Sequence, residues 1–231
     1  YLSLLTGRAP PPEKLRTRDL ALPEVLQWVD KAPRADRGQL RADVEAQLAR
    51  LGLALSAADL TTIARFHEAF IADGLDLQFR SHGREPNPYY PTLRQLLMAT
   101  DRTGRRWSYL DAEASYAFVR SLQVRDAIVP IVGDLSGPRA LRAIGDELRS
   151  AGQALSAIYV SNVEDYLFRS RRFDRWVQNL ATIPHTPNAV VIRSVFGGGP
   201  STSETQGIDD LVAGGSAGRF RSYWDLIYRG R

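Results

Sequence analysis

The stretch that decides the fold is Ile128-Val129-Pro130-Ile131-Val132-Gly133-Asp134-Leu135-Ser136-Gly137-Pro138. A β-branched apolar run stops at a glycine, and Pro138 stands where a first helical residue is favoured. The helix that follows is expected to run through Leu141, Ile144 and Leu148 to Gly152. Two further apolar runs, Leu155 to Val160 and Ala189-Val190-Val191-Ile192, flank a helix expected from about Arg172 to Ile183. None of the three runs alternates polar with apolar residues. Strand, helix, strand, helix, strand of this kind predicts an α/β fold, a Rossmann-like parallel sheet with helices covering both faces. Pro130 speaks against a central place for the first strand.

Upstream, residues 1–110 read as a mainly helical region preceding the Rossmann-like portion, residues 111–231. Leu40, Val44, Leu48 and Leu51 share one helical face, and Gly52 is a stop. Ser56 with Asp59 three positions on opens a helix carrying Leu60, Ile63, Phe66, Phe70 and Ile71, ended by Gly74. Thr92 caps a short helix to Thr100, and Asp111 caps one through 112–124. Downstream, residues 197–218 are rich in Gly and Ser and predict a mobile loop. A closing helix, Phe220 to Tyr228, offers Tyr223, Trp224, Ile227 and Tyr228 as anchors.

Composition bounds the chemistry. The chain has 231 residues, 44% hydrophobic and 24% charged, and no cysteine, which excludes disulfides, thiolate metal sites and cysteine nucleophiles. No apolar run approaches the ~20 residues of a membrane span, and the expected location is the cytoplasm with no membrane partner. The net charge is +4, and all of the 30 basic residues except Lys14 and Lys31 are arginine. That ratio is more often the mark of a GC-rich genome than of a binding function. The 26 acids are interleaved with the arginines, so nucleic-acid binding stands as an alternative rather than the leading reading.

In a parallel sheet, ligands gather at the carboxyl ends of strands. Gly133, Asp134, Ser136 and Gly137 lie at one such end, where glycines admit a close ligand and Asp134 can accept from a ribose or an amine. The same residues also suit a plain strand-to-helix turn capped by Asp134 or Ser136. Ser161, Asn162, Glu164 and Tyr166 lie at the next end. Asn162 offers a donor and an acceptor, and Glu164 is a candidate base. A capped helix start with two acids near its dipole explains them equally well.

Other patterns are weaker. Gly214-Gly215-Ser216-Ala217-Gly218 matches a nucleophile elbow without the strand it requires, and the glycines at 197–199 lack the lysine of a phosphate-binding loop. His67, His82 and His185 lack metal-ligand spacing, so no metal is expected. Trp28, Trp107, Trp176 and Trp224 read as core or edge anchors, with Trp107 also a candidate for stacking a ligand.

Several stretches occur here in a telling order: Trp107-Ser108-Tyr109-Leu110, the run into Gly133-Asp134-Leu135-Ser136-Gly137-Pro138, and Tyr159-Val160-Ser161-Asn162-Val163-Glu164-Asp165-Tyr166-Leu167. Ile192-Arg193-Ser194 and Arg221-Ser222-Tyr223-Trp224-Asp225 follow. Together they resemble a family of uncharacterised bacterial proteins similar to class I S-adenosylmethionine-dependent methyltransferases. The resemblance implies a Rossmann-like domain that binds S-adenosylmethionine and transfers its methyl group to an acceptor not named by the sequence. Gly133, Asp134, Ser136, Gly137, Ser161 and Asn162 would then face the cofactor, with Gly133 and Asp134 near the adenine and Asn162 beside the methyl. Asn162 and Glu164 are the catalytic candidates, and Trp107 and Tyr166 the substrate contacts. In that family, the segments holding the methionine and ribose lie upstream of the part matching this chain, so the 231 residues alone are expected to bind the cofactor weakly or not at all. A non-catalytic binding or assembly module on the same fold is the runner-up.

Overall fold

The computed structural model describes residues 2–16, 20–79, 85, 87–196 and 202–229. It divides into two compact units, Tyr1–Ile128 and Val129–Arg231. The division falls within the run 128–132 rather than at residue 110.

The first unit is helical: α1 (Leu2–Leu5), α2 (Glu13–Arg16), α3 (Leu22–Lys31), α4 (Arg37–Arg50), α5 (Ala57–Asp73), a 3-10 turn, α6 (Leu93–Met98) and α7 (Glu113–Val124). Leu22, Leu26 and Val29 fall on one face of α3 at spacings of four and three, and they bury with Leu2 and Leu75 into a small core. Asp30 at the end of α3 receives both terminal nitrogens of Arg94 from α6, at 3.0 and 2.7 Å. The expected starts of α5 and α6 hold. Ser56 and Asp59 cap each other, Thr92 and Gln95 do likewise, and Gly74 ends α5 at φ 56°. Asp111 does not cap α7, because its carboxylate is drawn into an ion pair with Arg106 and Ala112 takes the cap position. No residue of α5 is buried, and Leu60 and Phe66, expected inside, are exposed.

The second unit runs α8 (Ala140–Ser150), β1 (Leu155–Ser161), α9 (Val163–Arg169), α10 (Phe173–Leu180), β2 (His185–Val195), β3 (Thr202–Gly207), α11 (Ile208–Ser216) and α12 (Tyr223–Arg229). The sheet order is β1-β2-β3. β1 and β2 are parallel, with Ile158 opposite Val191 and Tyr159 opposite Ile192, and α9 and α10 make the crossover. β3 returns antiparallel, with Gln206 opposite Val191 and Glu204 opposite Arg193. The fold is therefore α/β with a three-stranded mixed sheet.

Three expectations need correction. Residues 128–132 form no strand. Their side chains are exposed, Val132 at 102%, because Pro130 withholds one amide and the described sheet ends at β1 with no strand beside this run. The stretch expected to be a loop at 197–218 holds β3 and α11 across 202–216; residues 197–201 lie outside the described residues. The small residues of α11 mark close packing instead. A side chain at Gly215 would stand 2.8 Å from Cγ2 of Val177 on α10, and one at Gly214 would meet Phe220 at 2.6 Å. The elbow-like motif 214–218 thus ends a helix. Lastly, the described helices of this unit pack on one face of the sheet. Val160, Ala189 and Val191 pack with Trp176, Val177, Leu180, Ile208 and Leu211, while Tyr159 on the opposite face is 63% exposed.

Among the described residues, no helix is long and apolar enough to cross a membrane.

Candidate functional site

β1 ends in a distorted turn. Its register against β2 shifts between Tyr159 and Ser161, and Ser161 takes φ 50°, a left-handed conformation uncommon for a residue with a Cβ. Asn162 begins α9 without using its side chain as a cap. Among the described residues, the side chains of Ser161 and Asn162 make no hydrogen bond to the protein, and both are partly exposed. Left-handed backbone at a non-glycine residue is a strain that clusters at active sites and ligand clamps.

Beneath this turn lies a polar network whose centre, Arg193 with Glu164, is buried and whose rim, Asp210 with Arg219, faces solvent. Arg193, opposite Ser161 on β2, donates from Nε to Glu164 Oε2 at 2.6 Å and from its second terminal nitrogen to Oε1 at 3.1 Å. The side-chain exposures are 2% and 0%. The same arginine nitrogen reaches Gln206 at 3.1 Å, Gln206 donates to Asp210 at 2.7 Å, and Arg219 pairs with Asp210 at 3.3 Å. Tyr223 donates to the Ser194 carbonyl at 3.0 Å, and the hydroxyls of Tyr159 and Ser194 are 2.7 Å apart. Burial, followed by the nearby Glu164 carboxylate, pushes the Tyr223 phenol upward. Glu164 is thus bound through both oxygens and out of solvent, so it is no accessible base. It is a structural anchor for the turn.

The segment 133–137 is built separately. Asp134 Oδ1 accepts from the amide and hydroxyl of Ser136 at 2.8 and 2.7 Å, and Oδ2 from Arg172 at 3.0 Å. Those Ser136 bonds, then Arg172 and Arg175, hold the Asp134 carboxyl below its ordinary value. Asn179 on α10 donates to the carbonyls of Leu135 and Gly137 at 2.9 and 2.8 Å. Glycine is required at 133, because a side chain there would collide with Ala140. Among the described residues, no hydrogen bond or ion pair joins this segment to Ser161 and Asn162. Tyr166 lies exposed on α9, and Trp107 belongs to the other unit.

Asn179, Arg172, Gln206 and Tyr223 carry the geometry but no local motif. Arg193 did leave a signal: an arginine inside the apolar run from Ala189 to Val195 demands a buried partner. The described residues contain no group of His, Asp and Glu arranged to hold a metal. A cavity of about 280 Å³ lies in the first unit between α4 and α5, lined by Val44, Leu48, Leu60 and Ile63. It includes none of the candidates.

The second unit thus presents a β-α-β element with a strained, polar carboxyl end, in which a buried ion pair sets the strand end. The family model described as "Domain of unknown function (DUF7790)" matches residues 79–213, more than half of the chain, and the chain belongs to that family. No curated protein matches it.

Proposed function

We propose that the second unit is a methyltransferase-like, Rossmann-type module whose carboxyl strand end, at Ser161 and Asn162, receives the reacting part of S-adenosylmethionine. The observation carrying this reading is the left-handed Ser161 followed by an unengaged Asn162, at the end of a strand that runs parallel to its neighbour. The Asn162 amide suits a cofactor with both donors and acceptors, and the Ser161 hydroxyl adds a third group. Asp134 fits the adenosine less directly, since Ser136 and Arg172 already hold both its oxygens. A ribose hydroxyl would displace the half-exposed Arg172. When bound, the cofactor supplies an electrophilic methyl. Asn162 would orient the acceptor beside it, and Glu164 would hold the turn through Arg193.

The test is an amide chemical-shift titration of the 231-residue chain with S-adenosylmethionine and S-adenosylhomocysteine. The expected result is weak, saturable perturbation at 161–166 and 133–137, with a dissociation constant of about 1 mM, worth about −4 kcal/mol. Asn162→Ala should abolish it. Perturbation confined elsewhere, or none, overturns the reading. A non-catalytic assembly module is the second reading, favoured by the exposed apolar run 128–132 and by the sealing of Glu164.

A further inference from the structure

Residues Thr100-Asp101-Arg102-Thr103-Gly104-Arg105-Arg106-Trp107 follow α6 and fold back through a bridge between Thr100 and Arg106. Gly104, at φ 82°, makes the reversal. One carboxylate oxygen of Asp101 accepts from the Thr103 amide at 2.8 Å, the Thr103 hydroxyl at 2.6 Å and the Arg105 amide at 3.1 Å. The other oxygen accepts from the Trp107 indole N–H at 2.8 Å. These bonds, led by those from Thr103 and Trp107, hold the Asp101 carboxyl far below its ordinary value. The Arg105 guanidinium lies 3.9 Å from the centre of the Trp107 ring.

Despite all this, Trp107 is 66% exposed. Burial therefore does not hold the indole. A carboxylate fixes its edge and a cation covers part of its face. Three bonds to the first oxygen suffice to shape the turn; the fourth, on the second oxygen, sets the orientation of the ring. The tip also carries Arg102, Arg105 and Arg106, of which Arg106 is paired with Asp111. Protein-binding hot spots also use Trp and Arg, but in well-packed, desolvated pockets, whereas this indole is open to water. Here the tryptophan is set among arginines, on a chain of net charge +4.

We propose that this tip is a stacking platform for single-stranded nucleic acid. An unpaired base stacks on the exposed indole surface, and Arg105 and Arg102 meet the flanking phosphates. An oriented ring loses little freedom on stacking, and any base can serve, so the platform is indifferent to sequence.

Fluorescence anisotropy with labelled oligo(dT) tests this. The full chain should bind saturably, with a dissociation constant of about 1–100 μM at low salt, weakening as salt rises. Trp107→Ala should weaken binding about tenfold with its salt dependence kept. Arg105→Ala should weaken binding and lower the salt slope by about one contact. Trp107→Phe keeps a ring but loses the bond to Asp101, so its affinity should fall between those of the parent chain and Trp107→Ala, which separates loss of stacking from loss of fold. A duplex of the same length should bind less well, because its bases are already stacked. Absence of binding at about 100 μM oligo(dT), undiminished binding by Trp107→Ala, or preference for the duplex would each overturn the proposal. So would a Trp107→Ala variant that binds normally but changes its sedimenting mass, which would make the tip a protein contact.

Discussion

Arg193 and Glu164, 29 residues apart in sequence, close a two-point ion pair with both side chains withdrawn from water. The pair ties β2 to the first turn of α9, and so to the turn at Ser161 and Asn162 that separates α9 from β1. A charge in that position is tolerable only with its partner, so the two residues act as one unit.

Removing one partner is therefore predicted to cost far more than removing both. Arg193→Met should destabilise the second unit by about 3–5 kcal/mol, because Glu164 is left buried without a counter-charge. Arg193→Met combined with Glu164→Leu should recover a large part of that loss. Hydrogen exchange of the β1 and β2 amides reads both values within this unit. Additive losses would show that the pair is not coupled.

Asn179 holds the segment 133–137 by donating to two carbonyls from a buried position. Asn179→Leu strands both acceptors and should cost about 2 kcal/mol. The Ser136 and Gly137 amides should exchange faster than in the parent chain, while those of β2 keep their order of protection. Unchanged exchange at 136 and 137 would mean that the segment is held by other contacts.

The Asp134 carboxyl is held low chiefly by the Ser136 hydroxyl. Its folded value lies below its unfolded one, so its contribution to stability is present above the unfolded value of about 3.9 and is lost as the pH falls through the folded one. Ser136→Ala should move the Asp134 midpoint upward in a carboxyl-detected NMR titration. A midpoint that stays put would assign the effect to the Ser136 amide, with Arg172 and Arg175, instead.

His185 behaves in the opposite sense. Its Nε2 faces Asp209 at 2.9 Å and its Nδ1 the Ile183 carbonyl at 2.8 Å, and these bonds raise its pKa. The stabilisation is complete below the unfolded value of about 6.5 and is lost as the pH rises through the higher folded value. Because Asp209 is largely exposed, the contribution should be only about 0.2–1 kcal/mol. Asp209→Asn should bring the imidazole midpoint down in a proton NMR titration. A midpoint unaffected by that change would remove Asp209 from the account.

Local signals carried much of the architecture. Ser56 with Asp59 and Thr92 with Gln95 mark helix starts wherever they occur, because a capping box satisfies its own amides. The runs 155–160 and 189–192 became paired parallel strands, since continuous apolar character demands cover. What failed depended on distant partners. Residues 128–132 have the composition of a strand, but a strand exists only beside another. Gly214 and Gly215 read as loop because composition cannot tell a flexible backbone from a helix pressed against Val177 and Phe220. At the site, Asn162 and Ser161 were legible as polar residues after a strand. The fate of Glu164 was not, because its role is set by an arginine on another strand.

The mixed sheet also sets an order of assembly. β2 and β3 are sequence neighbours joined antiparallel, whereas β1 reaches β2 only after α9 and α10 have crossed over. Short-range pairings close first, since the entropy lost in closing a chain segment grows with its length. The β2–β3 ribbon should then be the early kernel, and β1 the strand that docks late and slowly. Arg193 waits on that ribbon for Glu164, and a one-residue slip of β2 would turn it to the opposite face of the sheet, away from its partner. The Arg193–Glu164 pair can then close only when α9 and β1 dock in the correct alignment, so it completes the assembly rather than starting it.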